Sequence, residues 1–446
     1  MARWLLALAA AAAMLAGCAD SPAEPTAGDR RGSTSPDATP TSRSSPTRST
    51  PAEPLVVVGH ATRPQLDLTR AQARALVSGR MDRWQAHRVI RGLPARRAID
   101  VVERDPRTLA VVPLGAVGPT VVPARVAGVD PVRDRRDALR LLVAGDVMLS
   151  RGVKDPVAAL SPMSGFLRRA DLTVGNLEST LSTRGEPTQG GDSFGGSPKL
   201  LGPLRGAGFD AMSLANNHAG DYGEAALLDS VATLTGSPVV PFGAGDNAAA
   251  ASRPVVIERG GVRFGFVGFN AIGETPRAGP GTPGAFSLRM PPRTGPLVPA
   301  DLDRVLRAVR RTTQRADVVV VLPHWGTQYT HLPEPIQRRV GRDLVRAGAD
   351  LVVGGHPHWV QGMDAVGDVP VLHSLGNFVF DMDFMEQTME GVVLEATFWG
   401  AELRAVRLLP YRMDKGSFAP RRVTGAAAAG ILDDVWSTST GPFAGR

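Results

Sequence analysis

Asp350-Leu351-Val352-Val353-Gly354-Gly355-His356-Pro357-His358 carries the fold in miniature. Leu351–Val353 is a short, β-branched, apolar run of the kind that forms a buried parallel strand, and it stops at two glycines that permit a tight turn. Beyond the glycines stand two imidazoles separated by a proline, a pattern with chemical rather than structural meaning. In an extended segment, residues two apart face the same side, so His356 and His358 are expected to meet one metal centre, with Gly354, Gly355 and Pro357 fixing the loop.

The same grammar recurs upstream. Leu139–Ala144 runs into Gly145-Asp146, Leu172–Val174 into Gly175-Asn176-Leu177-Glu178, Phe209–Leu214 into Ala215-Asn216-Asn217-His218, and Val318–Leu322 into Pro323-His324-Trp325-Gly326. Ligands of open α/β sheets sit beyond the carboxyl ends of such strands, so the polar tips are expected to form one site. Between them lie helical stretches. Leu302–Ala316 places Leu302, Val305, Leu306 and Val309 on one face, and Glu334–Gly348 does so with Ile336, Val340, Leu344 and Val345 between a Pro start and a Gly stop. The second of these makes a βαβ unit joining His324 to His356.

The donor types narrow the chemistry. A carboxylate at Asp146, an amide at Asn217 and imidazoles at His324, His356 and His358 suit borderline ions such as Mn²⁺, Fe²⁺ or Zn²⁺ better than Ca²⁺. With Glu178 there are six candidate metal ligands, too many for one tetrahedral ion and about right for two. Two divalent ions roughly 3.5–4 Å apart lower the pKa of a water and clamp the attacking and leaving oxygens of a phosphoryl group, which favours hydrolysis.

Taken in order, Gly145-Asp146-Val147-Met148-Leu149, Gly175-Asn176-Leu177-Glu178, Leu214-Ala215-Asn216-Asn217-His218-Ala219-Gly220-Asp221-Tyr222-Gly223, His324-Trp325-Gly326, Gly355-His356-Pro357-His358 and Ser374-Leu375-Gly376-Asn377-Phe378-Val379-Phe380-Asp381 resemble the successive motifs of bacterial CapA capsule-synthesis proteins. The resemblance implies a calcineurin-like metallophosphoesterase fold: an α/β protein of layered β sheets flanked by helices. It also implies a link to poly-γ-glutamate capsule biosynthesis. Carried over residue by residue, it makes Asp146 the first metal ligand and Glu178 the bridging carboxylate, with Asn176 as the alternative. It makes Asn217, His324, His356 and His358 further ligands and His218 the catalytic group that assists the leaving oxygen. Asn176, Asn216, Gln328 and Asn377 become supporting or pocket residues. Met148 stands where the wider superfamily has a ligand His, a loss that CapA-like chains share. Gln328 stands where the family usually has Glu; its amide keeps the hydrogen bonding and loses the charge. Asp381 is a further pocket candidate. The buried His373 is expected to be neutral, while His60, His87 and His331 are expected to be structural.

The rest of the 446 residues surrounds this domain, set at 138–413. Residues 1–17 read as a signal peptide whose Leu15-Ala16-Gly17-Cys18 end resembles a lipobox. Cys18, the one cysteine in the chain, is the expected lipidation site, and the lipid would hold the protein on the extracellular face of the membrane. Residues 18–53, rich in Ser, Thr and Pro, read as a tether. Residues 54–133 form a small α/β domain with strands at Leu55–Val58, near Val101 and at Leu109–Pro113, and a helix at Thr69–Ser78 capped by Thr69. Leu68–Trp84 and the run from Asp105 to Leu114 loosely resemble a lobe of phosphate-binding-type solute receptors. Residues 414–446 are a tail whose possible helix, Ala426–Val435, either packs or frays.

The net charge of +7 comes from scattered Arg, since Lys occurs only at 154, 199 and 415. It lacks the stripe of a nucleic-acid groove, so no nucleic-acid partner is expected; an anionic envelope polymer or phosphoester is. Two functions compete. One is a membrane-anchored metal-dependent hydrolase; the other is a non-catalytic capsule assembly, export or surface-binding factor working through other capsule proteins.

Overall fold

The computed structural model describes residues 53–445; the expected signal peptide, Cys18 and almost all of the expected tether lie outside the described residues. Among the described residues, two large sheets pack face to face. The first runs in the order Val240–Phe242, Ala211–Ser213, Leu172–Leu177, Ala138–Val147, Glu390–Trp399, Glu402–Met413, Pro420–Arg422, and Asn377–Val379 pairs with the far end of Ala138–Val147. The second runs Val255–Arg259, Val262–Asn270, Val318–His324, Leu351–Val353, Val369–Leu372, Met363–Val366.

Strand alternation sorts side chains into three apolar layers. Leu141 and Val143 point between the sheets, where they meet Val318, Val320, Leu351 and Val353. Leu142 and Ala144, one residue out of phase, turn to the outer face and pack with Leu160, Leu167, Leu204 and Leu227 of covering helices. Val319, Val321 and Val352 do the same on the other side under Val305, Val309, Val340 and Leu344. The result is helix, sheet, sheet, helix. The two helices expected from their apolar faces are present as Pro299–Thr313 and Pro335–Arg346.

The pairs that carry the site are parallel. Ala138–Val147 pairs with Leu172–Leu177 and that strand with Ala211–Ser213; Val318–His324 pairs with Leu351–Val353. Their carboxyl ends therefore open at one rim, as the apolar runs required.

The small sheet has the order Arg83–Trp84, His87–Ile90, Thr108–Pro113, Leu55–His60, Val121–Pro123. Helix Arg70–Ser78 starts with a capping box between Thr69 and Gln72. Where a strand was expected near Val101, the chain forms helix Ala95–Arg104. Val101-Val102 is a β-branched pair, but Pro94 opens a helix and Ala98, Ile99 and Val102 share a face that packs on Val58, Ala110 and Val112. Burial of that face outweighs local strand preference.

The lobe is seated on the first large sheet. Trp399 donates its indole N–H to the Val132 carbonyl at 2.9 Å, and the buried Glu395 carboxylate lies 3.1 Å from Arg133 and 3.5 Å from Arg407. Residues after Met413 also join the packed body. Pro420–Arg422 extends the first sheet, and helix Gly425–Ser437 buries Ile431 and Val435 in the layer between the sheets, so packing rather than fraying holds for this helix.

Candidate metal centre

Strand Ala138–Val147 delivers Asp146 at its end, where Gly145 allows the neighbouring chain to come close: a β-carbon there would stand 2.0 Å from the Gly376 carbonyl oxygen. Leu172–Leu177 delivers Asn176 within the strand and Glu178 just beyond it. Val318–His324 ends on His324. Asp146, Glu178 and His324 are all buried, and a donor atom from each lies within 4.8 Å of the others, a grouping that could hold a metal ion.

An amide frame sets this geometry. Asn176 donates to Asp146 Oδ1 at 2.9 Å and to Glu178 Oε1 at 2.9 Å, while its own carbonyl oxygen accepts from Asn216 at 2.9 Å. Asn216 also donates to the Leu177 carbonyl at 2.7 Å and accepts from the His218 backbone N–H at 3.0 Å. Asn176 and Asn216 thus lock the positions of the carboxylates and of the Asn217-His218 turn. Asn217 Oδ1 lies 2.8 Å from His324 Nε2, which in turn is 3.5 Å from Glu178 Oε1.

His356 and His358 sit beside this group in a conformation other than the extended one expected. Their φ angles are +96° and +60°, in the left-handed region. At His356 the reason is a tertiary contact: its backbone N–H turns in to donate to Asp146 Oδ2 at 2.9 Å. The rings still converge, with centroids 5.8 Å apart and His356 5.0 Å from His324. His358 Nδ1 is 2.8 Å from Asn377 Oδ1, so Nε2 is the ring atom a metal could use.

The donor set fits a cation. Glu178 Oε2 and both ring nitrogens of His356 are buried with no hydrogen-bond partner, a costly arrangement for a protein alone and an ordinary one for metal ligands. Burial pushes the Glu178 carboxyl well above the usual range, and the adjacent Asp146 carboxylate adds to the rise. Asp146 is raised by burial as well. Burial drives His324 and His356 well below the usual imidazole value and holds His358 at about 4 despite its bond with Asn377. The His356 imidazole, with both ring nitrogens unpartnered beside two crowded carboxylates, is suited to a divalent ion.

His218 is placed by groups that its sequence position did not reveal. Asp221 Oδ2 lies 2.8 Å from Nδ1, which leaves Nε2 for proton transfer, and Asp221 is itself held by the Phe194 N–H at 2.7 Å and by Gln189. The Phe194 ring stacks on His218 with centroids 3.7 Å apart and carries the Arg151 guanidinium 4.2 Å from its centroid. The His-x-x-Asp spacing of 218 and 221 was visible as a signal; nothing local marks Phe194 or Arg151. Asp381 serves Arg151 and accepts from the Gly152 N–H at 2.9 Å. Gln328 is half-buried in the segment leading to Tyr329, whose ring lies over His358 at 5.9 Å. His373 is buried against Asp364, and burial lowers its pKa, in keeping with a neutral ring.

Fold and site together define an α/β protein of the metallophosphoesterase-like class, with a buried carboxylate–imidazole group at the rim of two facing sheets. The chain belongs to the bacterial capsule synthesis protein PGA_cap family, whose model matches residues 140–382 and so spans every candidate ligand from Asp146 to His358. It is 30% identical to the capsule biosynthesis protein CapA of Bacillus anthracis over 73% of this chain and 80% of that one. It is 28% identical to the PGA biosynthesis protein CapA of Bacillus subtilis (strain 168) over 55% of this chain and 64% of that relative. A hypothetical protein from Thermus thermophilus aligns over 61% of this chain and 99% of its own at 19% identity, with a TM-score of 0.39, too loose a likeness to carry an argument.

Proposed function

We propose that this CapA-family chain is a metal-dependent hydrolase acting on a phosphoester or anionic polymer of the cell envelope, in the service of capsule biosynthesis. The observation that carries this reading is the convergence of Asp146, Glu178 and His324 beside the unpartnered ring nitrogens of His356. Asp146, Glu178, Asn217, His324, His356 and His358 would hold two divalent ions of the Mn, Fe or Zn type, His358 through Nε2. Bound there, such ions supply Lewis acidity toward a phosphoryl oxygen and an acidified water.

The chain's own residues do the rest. His218, doubly protonated for this step, gives the proton on Nε2 to the leaving oxygen and is left with the proton on Nδ1, whose hydrogen bond the Asp221 carboxylate accepts, fixing the ring and stabilising its charge before the transfer. Phe194 excludes water from one face of that ring, and Arg151 adds positive charge next to it. Asn176 and Asn216 keep the carboxylates in register. We further propose that Cys18 carries a lipid that anchors the protein outside the membrane; among the described residues no helix is long and apolar enough to cross a bilayer.

The test is turnover of a generic aryl phosphodiester with Mn²⁺ by the purified chain beside Asp146→Asn, His356→Ala and Asp221→Asn. Loss of at least about 100-fold in the first two, and about 10–100-fold in the third, is expected. Equal rates in all four proteins would overturn the hydrolase reading and leave an assembly role.

A further inference from the structure

Away from the metal centre, a cavity of about 270 Å³ is bordered by four arginines, Arg277, Arg304, Arg307 and Arg311, with Ser252 and Ser287. Its remaining wall is apolar, formed by Phe286, Ala248, Ala249 and Ala278. Two of the arginines are spoken for: the buried Asp301 carboxylate lies 2.9 Å from Arg277 and 2.6 Å from Arg304, and 2.9 Å from Arg289 as well. Arg307 and Arg311 are exposed and have no acidic partner among the described residues. One carboxylate shared by three guanidiniums, with two more guanidiniums beside them, leaves the cleft with excess positive charge.

Spacing points to a repeating anion. Arg304, Arg307 and Arg311 follow one another along helix Pro299–Thr313 at i, i+3 and i+7, a rise of about 4.5 Å and then about 6 Å, so no single carboxylate can reach all three. The apolar wall suits the methylene stems of an acidic side chain or backbone while the guanidinium forks take its oxygens. The cleft is also wired to the catalytic turn. Thr275, two residues before Arg277, accepts from the Gly220 N–H at 2.9 Å, and Gly220 is two residues after His218.

We propose that this arginine cleft, linked to the His218 turn through Thr275, binds a carboxylate-bearing polymer chain. The inference rests on the capsule-polymer reading of the metal centre but concerns binding, so it can fail or succeed separately from turnover. The test is fluorescence anisotropy of a labelled glutamate decamer with the full chain in low salt, beside an Arg307→Ala/Arg311→Ala double variant. A glutamine decamer and an inorganic polyphosphate of similar charge serve as competitors. Expected are binding that weakens with salt, a loss on the order of tenfold in the double variant, unchanged aryl phosphodiester turnover in that variant, and weak competition from the other two polymers. Asp146→Asn is expected to bind the glutamate chain as wild type does, which separates the cleft from the catalytic site. Equal affinity of wild type and double variant would overturn the proposal, and so would tighter binding of polyphosphate than of the glutamate chain.

Discussion

Gly355 has no room for a β-carbon, because one would lie 2.5 Å from Asp146 Oδ1. The glycine lets the His356 backbone N–H approach the other carboxylate oxygen, and a side chain would push the Asp146 carboxylate off its position. Gly355→Ala is therefore expected to weaken Mn²⁺ binding by about tenfold or more while the protein stays folded, measured by calorimetric titration of wild type and variant side by side. Much of this residue-scale detail was legible in the sequence. The identities of Asp146, Asn217, His324, His356 and His358 as polar strand tips came from pattern, whereas Glu178 was set ahead of Asn176 by the family resemblance. What pattern could not supply was conformation. The positive φ of His356 accompanies a hydrogen bond to a residue 210 positions away, and no local rule anticipates it.

At the scale of elements, Met363–Val366 is tied to the helix Pro335–Arg346 and to the chain end through Asp364. Its carboxylate meets His373 at 2.9 Å, Thr440 at 2.6 Å and Arg338. Burial would raise the Asp364 pKa, but these partners outweigh it and hold the group at about 2. A carboxyl whose folded pKa lies below its unfolded value adds stability at higher pH and loses it as pH falls. The contribution is complete above about pH 4 and vanishes as pH drops through about 2. The stability gap between wild type and Asp364→Asn in urea titrations should thus shrink by about 2 kcal/mol over that window. A gap independent of pH between about 5 and about 2 would contradict this assignment. Helices Pro299–Thr313 and Pro335–Arg346 were readable from their apolar faces, whereas Ala95–Arg104 was not, since its Val-Val pair favours a strand until the lobe's core supplies a surface to bury it.

Across the whole molecule, the small lobe and the large domain share charges as well as apolar contact. Glu395, 2% exposed, faces Arg133 from the lobe and Arg407 from its own sheet. Glu395→Gln leaves two guanidiniums facing a neutral amide, and it is expected to cost about 3 kcal/mol and to open the 124–138 connection to proteases before the large domain unfolds. Unchanged proteolysis there would mean that the lobe is held without this pair. Sequence by itself determined the alternating core of both sheets, the parallel strands with polar tips and the donor types at the rim, because strand burial and side-chain chemistry are local properties. Tertiary structure alone decided which tips meet, how Asp221 and Phe194 come to flank His218, and where four arginines gather around one cleft. Those facts depend on how sheets, helices and loops pack together, and that packing brings Asp146 against His356 across 210 positions of chain.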